Sequence, residues 1–133
     1  MITEFLKMCK ILLVDDDGAT NFYNQYILNK NLIDCEIIIL NDGFKALEYI
    51  KNEALPDFIF LDINMPVMNG IQFLEEAKKW LKAKLSHVRI FVMMSVILPE
   101  DKLQNIQDAQ NVEIIKSKTL TNENIHKIFF NKN

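Results

Sequence analysis

The chain has 133 residues, half of them hydrophobic and a quarter charged, with a formal net charge of -3. That is the length of one domain with a real core, and its acidic balance argues against the basic footprint of a nucleic-acid binder. The N-terminal MITEFLKMCK carries too short an apolar stretch for a signal peptide, and no run approaches the roughly 20 apolar residues of a membrane span, so a cytoplasmic protein without membrane association is expected.

Taken in order, apolar runs of strand length alternate with segments of helical period. Lys10 to Val14 (KILLV) reads as the first strand and stops on Asp15, Asp16 and Asp17, then Gly18. From Ala19 to Asn31, Phe22, Tyr23, Tyr26 and Ile27 recur at three- and four-residue spacing and predict the inner face of a helix capped by Asp17. Glu36 to Leu40 (EIIIL) is the second strand, closed by Asn41, Asp42 and Gly43. Phe44, Leu47 and Ile50 then mark the buried face of a helix that ends before Pro56. The third strand lies in FIFLDINMPVMNG, Phe58 to Gly70, and ends on Asp62 before a turn built from Asn64, Pro66, Asn69 and Gly70. A helix beginning near Asn69 or Gly70 should bury Ile71, Leu74, Ala77 and Leu81. Arg89 to Met94 (RIFVMM) is the fourth strand, ending on Ser95. Pro99, Glu100 and Asp101 open a fourth helix with Leu103 and Ile106 inward, since proline and acids favour a first turn. Val112 to Ile115 is the fifth strand, followed by Lys116, Ser117 and Lys118. Thr121 caps a last helix burying Ile125, Ile128 and Phe129.

Five strands separated by helices require right-handed βαβ crossovers, hence a doubly wound α/β fold with a parallel sheet and helices on both faces. In such folds function gathers beyond the carboxyl ends of the strands. Asp15, Asp16, Asp62, Ser95 and Lys118 stand there. Clustered carboxylates repel, so they must take protons or hold a cation. With no histidine or cysteine nearby, oxygen ligation suits magnesium or manganese rather than zinc, and magnesium is commonly completed by phosphate oxygens. One carboxylate could serve as a nucleophile that forms an aspartyl phosphate, with the metal, Lys118 and Ser95 stabilising the transferring group.

These residues resemble the receiver domain of two-component response regulators. VDDD, FLDINMPVMNG, the serine after the fourth strand and the lysine of KTLT match that family in register over essentially the whole chain. The resemblance implies a flavodoxin-like sheet of order 2-1-3-4-5 with five helices, in a single stand-alone receiver spanning residues 1–133 with no output domain. It implies Asp62 as phospho-acceptor, Asp15 and Asp16 as the acidic pair, and Asp15, Asp16, Asp62 and the Asn64 backbone carbonyl around Mg2+. Ser95 matches the switch hydroxyl, Lys118 the phosphate-binding lysine and Ile115 a switch position often aromatic in relatives. The partners implied are a histidine kinase or phosphotransfer protein as donor and a downstream protein that docks on the fourth and fifth helices and fifth strand.

Three positions depart from the pattern: Thr119 replaces a proline, Ile115 an aromatic residue and Val96 a smaller one. Without the proline, the Lys118–Thr119 bond is expected to be trans, because a cis bond there costs about 2.5–4 kcal/mol. Lys116 is the alternative to Lys118. The competing functions are an aspartyl-phosphate phosphatase similar to haloacid dehalogenases and a phosphorylation-independent docking module. Such phosphatases carry a second acid two residues after the nucleophile, where this chain has Asn64.

The remaining candidates have simpler readings. Asp17 is a cap. Lys78, Lys79, Lys82 and Lys84 around Trp80 form a solvated helix face, and His87 and His126 lie apart from the acids. Met65, Met68, Met93 and Met94 are packing residues, and Cys9 and Cys35, without redox or zinc spacing, are buried reduced thiols.

Overall fold

The computed structural model describes residues 9–32, 34–95, 98–107 and 109–130, so Val96 lies outside the described residues. Five strands, β1 (Cys9–Val14), β2 (Cys35–Leu40), β3 (Phe58–Asp62), β4 (Arg89–Met93) and β5 (Val112–Ile115), form one parallel sheet in the order β2-β1-β3-β4-β5. The helices between them are α1 (Gly18–Asn31), α2 (Gly43–Asn52), α3 (Gly70–Leu81), α4 (Glu100–Gln107) and α5 (Asn122–Ile125). A 3-10 segment, Lys82–His87, follows α3, and α5 continues as a π-helical turn over His126–Phe130. No helix among the described residues is long and apolar enough to cross a membrane.

Strand alternation divides the interior in two. Leu12, Val14, Ile59, Leu61, Ile90 and Val92 face the side covered by Ala46, Leu47 and Ile50 of α2, Phe73 and Ala77 of α3 and Ile106 of α4. Ile11, Leu13, Phe60, Phe91 and Met93 face the other side, against Ile27 and Leu28 of α1 and Ile125 of α5. Each central strand is therefore apolar at successive positions because both of its faces are covered. The four methionines pack inside as the sequence suggests.

Helix rotation corrects the sequence reading at three points. In α1 the expected inner residues Phe22, Tyr23 and Tyr26 are exposed, Phe22 at 73%, whereas Thr20, Asn21, Asn24, Ile27 and Leu28 are buried. Hydrogen bonds override apolar periodicity here: Asn21 Nδ2 donates to the Asp15 carbonyl at 2.8 Å, and Asn24 bonds the chain after β5. In α2 Phe44 is exposed and Ala46 takes its place inside. In α3 Phe73 is fully buried, while Ile71, Leu74 and Leu81 pack at the margin of the core.

The β3–α3 connection brings backbone close to the end of β3. A Cβ on Gly70 would lie 2.6 Å from the Asp62 carbonyl oxygen and 2.9 Å from Ile63 Cα, a space only glycine fits. Within the same loop Val67 has φ 69°, and Met68 N donates across it to the Pro66 carbonyl at 2.9 Å. That is the strained hand of the γ-turn, adopted by a β-branched residue that is 84% exposed. Left-handed backbone costs an L-residue about 1–2 kcal/mol, partly offset on changing to glycine by the greater freedom of the unfolded chain. Val67→Gly is therefore expected to raise stability by roughly 0.5–1 kcal/mol in urea unfolding. A loss would show that the side chain holds the turn.

Candidate functional site

Each strand that ends in acid delivers it to the same edge. Asp15 follows β1 directly, with its backbone N–H bonded to the Leu40 carbonyl at 3.2 Å, and Asp62 is the last residue of β3. Asp15, Asp16 and Asp62 each bring a carboxylate oxygen within 4.8 Å of the others. Asp15 and Asp62 are buried and Asp16 is exposed. Asp17 stands apart as the α1 cap, accepting from Ala19 N at 3.1 Å and Thr20 Oγ1 at 2.7 Å.

The two buried acids are unequally satisfied. Asp15 Oδ1 accepts from Asp17 N at 2.9 Å, and Asp62 Oδ1 from Asn64 N at 3.2 Å. Asp62 Oδ2 is buried without a hydrogen-bond partner among the described residues, and Lys118 Nζ stands 3.9 Å from it. Burial pushes the Asp15 carboxyl up to about 6, with the Asp62 charge adding to the rise and the Asp17 N–H opposing it. Asp62 is raised too, by burial first, against the Asn64 N–H and Lys118. An orphaned buried oxygen, an all-oxygen donor set and a nearby ammonium fit a hard divalent cation and an anion beside it.

Lys118 reaches this edge from the loop after β5, while Lys116 is exposed. No cis peptide occurs among the described residues, so the Lys118–Thr119 bond is trans. The loop is fixed instead by Asn24, whose Nδ2 donates to the Lys118 carbonyl at 3.1 Å and whose Oδ1 accepts from Leu120 N at 2.8 Å. Thr119 N donates to Ser117 Oγ at 3.1 Å, tightening the turn. The sequence does not mark Asn24 as a site residue, because its partners lie over ninety positions away. An asparagine among apolar helix positions is the one signal it leaves.

The other candidates are placed as follows. Ser95 is exposed two residues beyond Met93 at the end of β4. Asn64 is exposed and contributes its N–H to Asp62. Ile115 is half-buried opposite Met93, against the α1 and α5 core. His87 and His126 are exposed and lie in other segments.

Two outcomes follow from this geometry. Asn24→Ala deletes both ties and leaves the Leu120 N–H without its partner, costing about 2–3 kcal/mol in chemical denaturation. An unchanged midpoint would show that the loop is held otherwise.

The second concerns pH. Because the folded Asp15 keeps its proton to about 6, against 3.8 for the ordinary carboxyl, the folded state binds more protons between those values. Its contribution to stability is full below that window and is lost as pH rises through it, a difference of roughly 3 kcal/mol. Without divalent ions, the wild type should gain stability relative to Asp15→Asn on moving from pH 7 to pH 5. Parallel profiles for the two proteins would show that Asp15 is not strained.

Comparison with known proteins finds relatives over most of the chain. Residues 11–129 match the family model described as response regulator receiver domain. Response regulator Rcp1 of Synechocystis is 30% identical over 116 residues, covering 83% of this chain and 78% of its own. A sensor histidine kinase, CheAY of Helicobacter pylori, is 30% identical over 109 residues, 80% of this chain and 13% of the kinase. Among solved structures, the phosphorylated cyanobacterial phytochrome response regulator RcpA superposes with a TM-score of 0.71 at 30% identity, covering 84% of this chain and 82% of that one. The Mn(2+)-bound form of Rcp1 superposes at 0.70 and 28% identity, covering 90% and 88%. Strand order, convergent acids and these matches together show that the chain belongs to the response regulator receiver domain family, the phosphoryl-accepting signalling switches of two-component systems.

Proposed function

We propose that Asp62 is the phosphoryl acceptor, that Asp15, Asp16 and Asp62, with the Asn64 carbonyl, hold Mg2+, and that Lys118 and Ser95 receive the phosphoryl oxygens. The observation that carries this reading is the buried Oδ2 of Asp62, without a hydrogen bond among the described residues and 3.9 Å from Lys118 Nζ. Bound there, a divalent ion would supply charge neutralisation for the acids and the phosphoryl oxygens. The Mn(2+)-bound form of Rcp1 supports a divalent ion, and the hard oxygen donors favour Mg2+.

In the transfer step an Asp62 carboxylate oxygen attacks phosphorus of a phosphohistidine. The P–O bond forms as the P–N bond breaks, and the imidazole leaves with the electron pair and takes up a proton. Burial of Asp62 excludes competing water, while the Asn64 N–H on Oδ1 orients the carboxylate. Lys118 is tethered through Asn24, so its ammonium is offered to the growing negative charge.

The donor is a histidine kinase or phosphotransfer protein and the output is altered docking to a downstream protein, in the cytoplasm and without nucleic-acid binding. Ile115 couples the site to the output face through its packing opposite Met93. A phosphatase reading is disfavoured because the position two residues beyond Asp62 holds Asn64, whose side chain supplies no proton.

Incubation with acetyl phosphate and Mg2+ should add one phosphoryl group to Asp62, detected by intact mass, and none to Asp62→Asn. Chelation of the metal should abolish labelling, and Lys118→Ala should slow it by roughly tenfold or more. Equal labelling of wild type and Asp62→Asn would overturn the assignment. Multiple turnover of a phosphate ester would instead establish the phosphatase.

A further inference from the structure

The two cysteines, distant in sequence, meet at the end of the sheet opposite the acids. Cys9 and Cys35 are Cα partners and form the first rung of the β1–β2 ladder among the described residues. In-register residues on neighbouring parallel strands point to the same face, and both side chains pack at the rim of the α1 and α5 core with Leu32, Ile37 and Phe58. Both thiols are free and half-buried, within reach of a small reagent. Neighbouring strands lie about 4.8 Å apart, inside the roughly 4.4–6.8 Å span of Cα atoms that a disulfide bridges.

We propose that Cys9 and Cys35 form a dithiol modification site that closes into an intrachain disulfide, joining β1 to β2, by exchange with a small-molecule disulfide such as glutathione disulfide. One cysteine thiolate attacks a glutathione sulfur, the S–S bond of glutathione disulfide breaks and one glutathione thiolate leaves. The second cysteine sulfur then attacks the protein-bound sulfur of the mixed disulfide and displaces the other. Two protein thiols are oxidised, one glutathione disulfide is reduced to two glutathiones, and these take up the two protons released.

The surroundings select this product. Burial raises both thiols above the usual range, with Asp57 adding to the rise at each. Paired thiolates, as a soft metal would require, are therefore disfavoured, whereas a neutral disulfide fits the apolar rim. Exchange is slow at neutral pH for the same reason. The bond would close the loop of residues 9–35, which contains α1, and so restrict the unfolded chain. Asp15 lies six positions beyond Cys9 along β1, about 20 Å of extended strand, so phosphoryl acceptance at Asp62 should proceed unchanged.

The test is incubation of the native chain with excess glutathione disulfide at mildly alkaline pH. Intact mass should fall by two hydrogen atoms, and a non-reducing peptide map should join the peptides that contain Cys9 and Cys35. Cys9→Ser and Cys35→Ser should each acquire a single glutathione instead. The oxidised wild type should melt at higher temperature, with reductant reversing the shift and acetyl phosphate labelling the same in both forms. Two stable glutathione adducts on the wild type, a disulfide-linked dimer, or a chain that stays reduced when native but oxidises when denatured would each overturn the proposal.

Discussion

The arrangement depends on one unsatisfied carboxylate. Asp62 ends the central strand β3, enclosed by the neighbouring strands and by the close turn at Gly70, with one oxygen bonded to the Asn64 N–H and the other unbonded among the described residues. Burying a charge in this way costs several kcal/mol unless it is compensated. The neighbours worsen the problem, since Asp15 and Asp16 bring two further carboxylates into the same space. Lys118 offsets only part of it, at 3.9 Å and half in solvent. The chain thus holds an acid cluster of raised energy in place with a rigid sheet.

Supporting such a cluster requires backbone held by means other than hydrophobic contact. Asn21 and Asn24 turn inward from α1, one bonded to the carbonyl of Asp15 and the other clasping both sides of Thr119. Through these two residues a single helix positions an acid after β1 and a lysine after β5. The clasp also accounts for a defined loop with a trans bond and no proline at position 119. The inward asparagines displace Phe22, Tyr23 and Tyr26 to the surface, so the exposed aromatics of α1 are the structural counterpart of the polar groups beneath.

Backbone strain is also found beside the acids. The γ-turn at Val67 and the tight approach of Gly70 lie within the eight residues after Asp62, and the other positive-φ residue that is not glycine among the described residues, Lys82, caps α3 on the way to the start of β4. A stiff, fully covered sheet over two apolar layers tolerates such local cost because the central strands contribute nearly all of their side chains to the core.

The sequence by itself determined the strands, their alternation with helices and the edge where the acids collect. Runs such as KILLV and RIFVMM are apolar on both faces, and only a covered parallel sheet accepts that pattern; the strand order followed from resemblance to the family rather than from the runs. The acids were legible because each interrupts such a run. Only the tertiary structure decided the rotation of α1, the partner of Asn24, the placing of Lys118 rather than Lys116 beside Asp62, and the adjacency of Cys9 and Cys35. Each of these is a contact between segments far apart in the chain. Local periodicity records which face of an element is apolar, but hydrogen bonds and strand register between distant segments determine what that face meets.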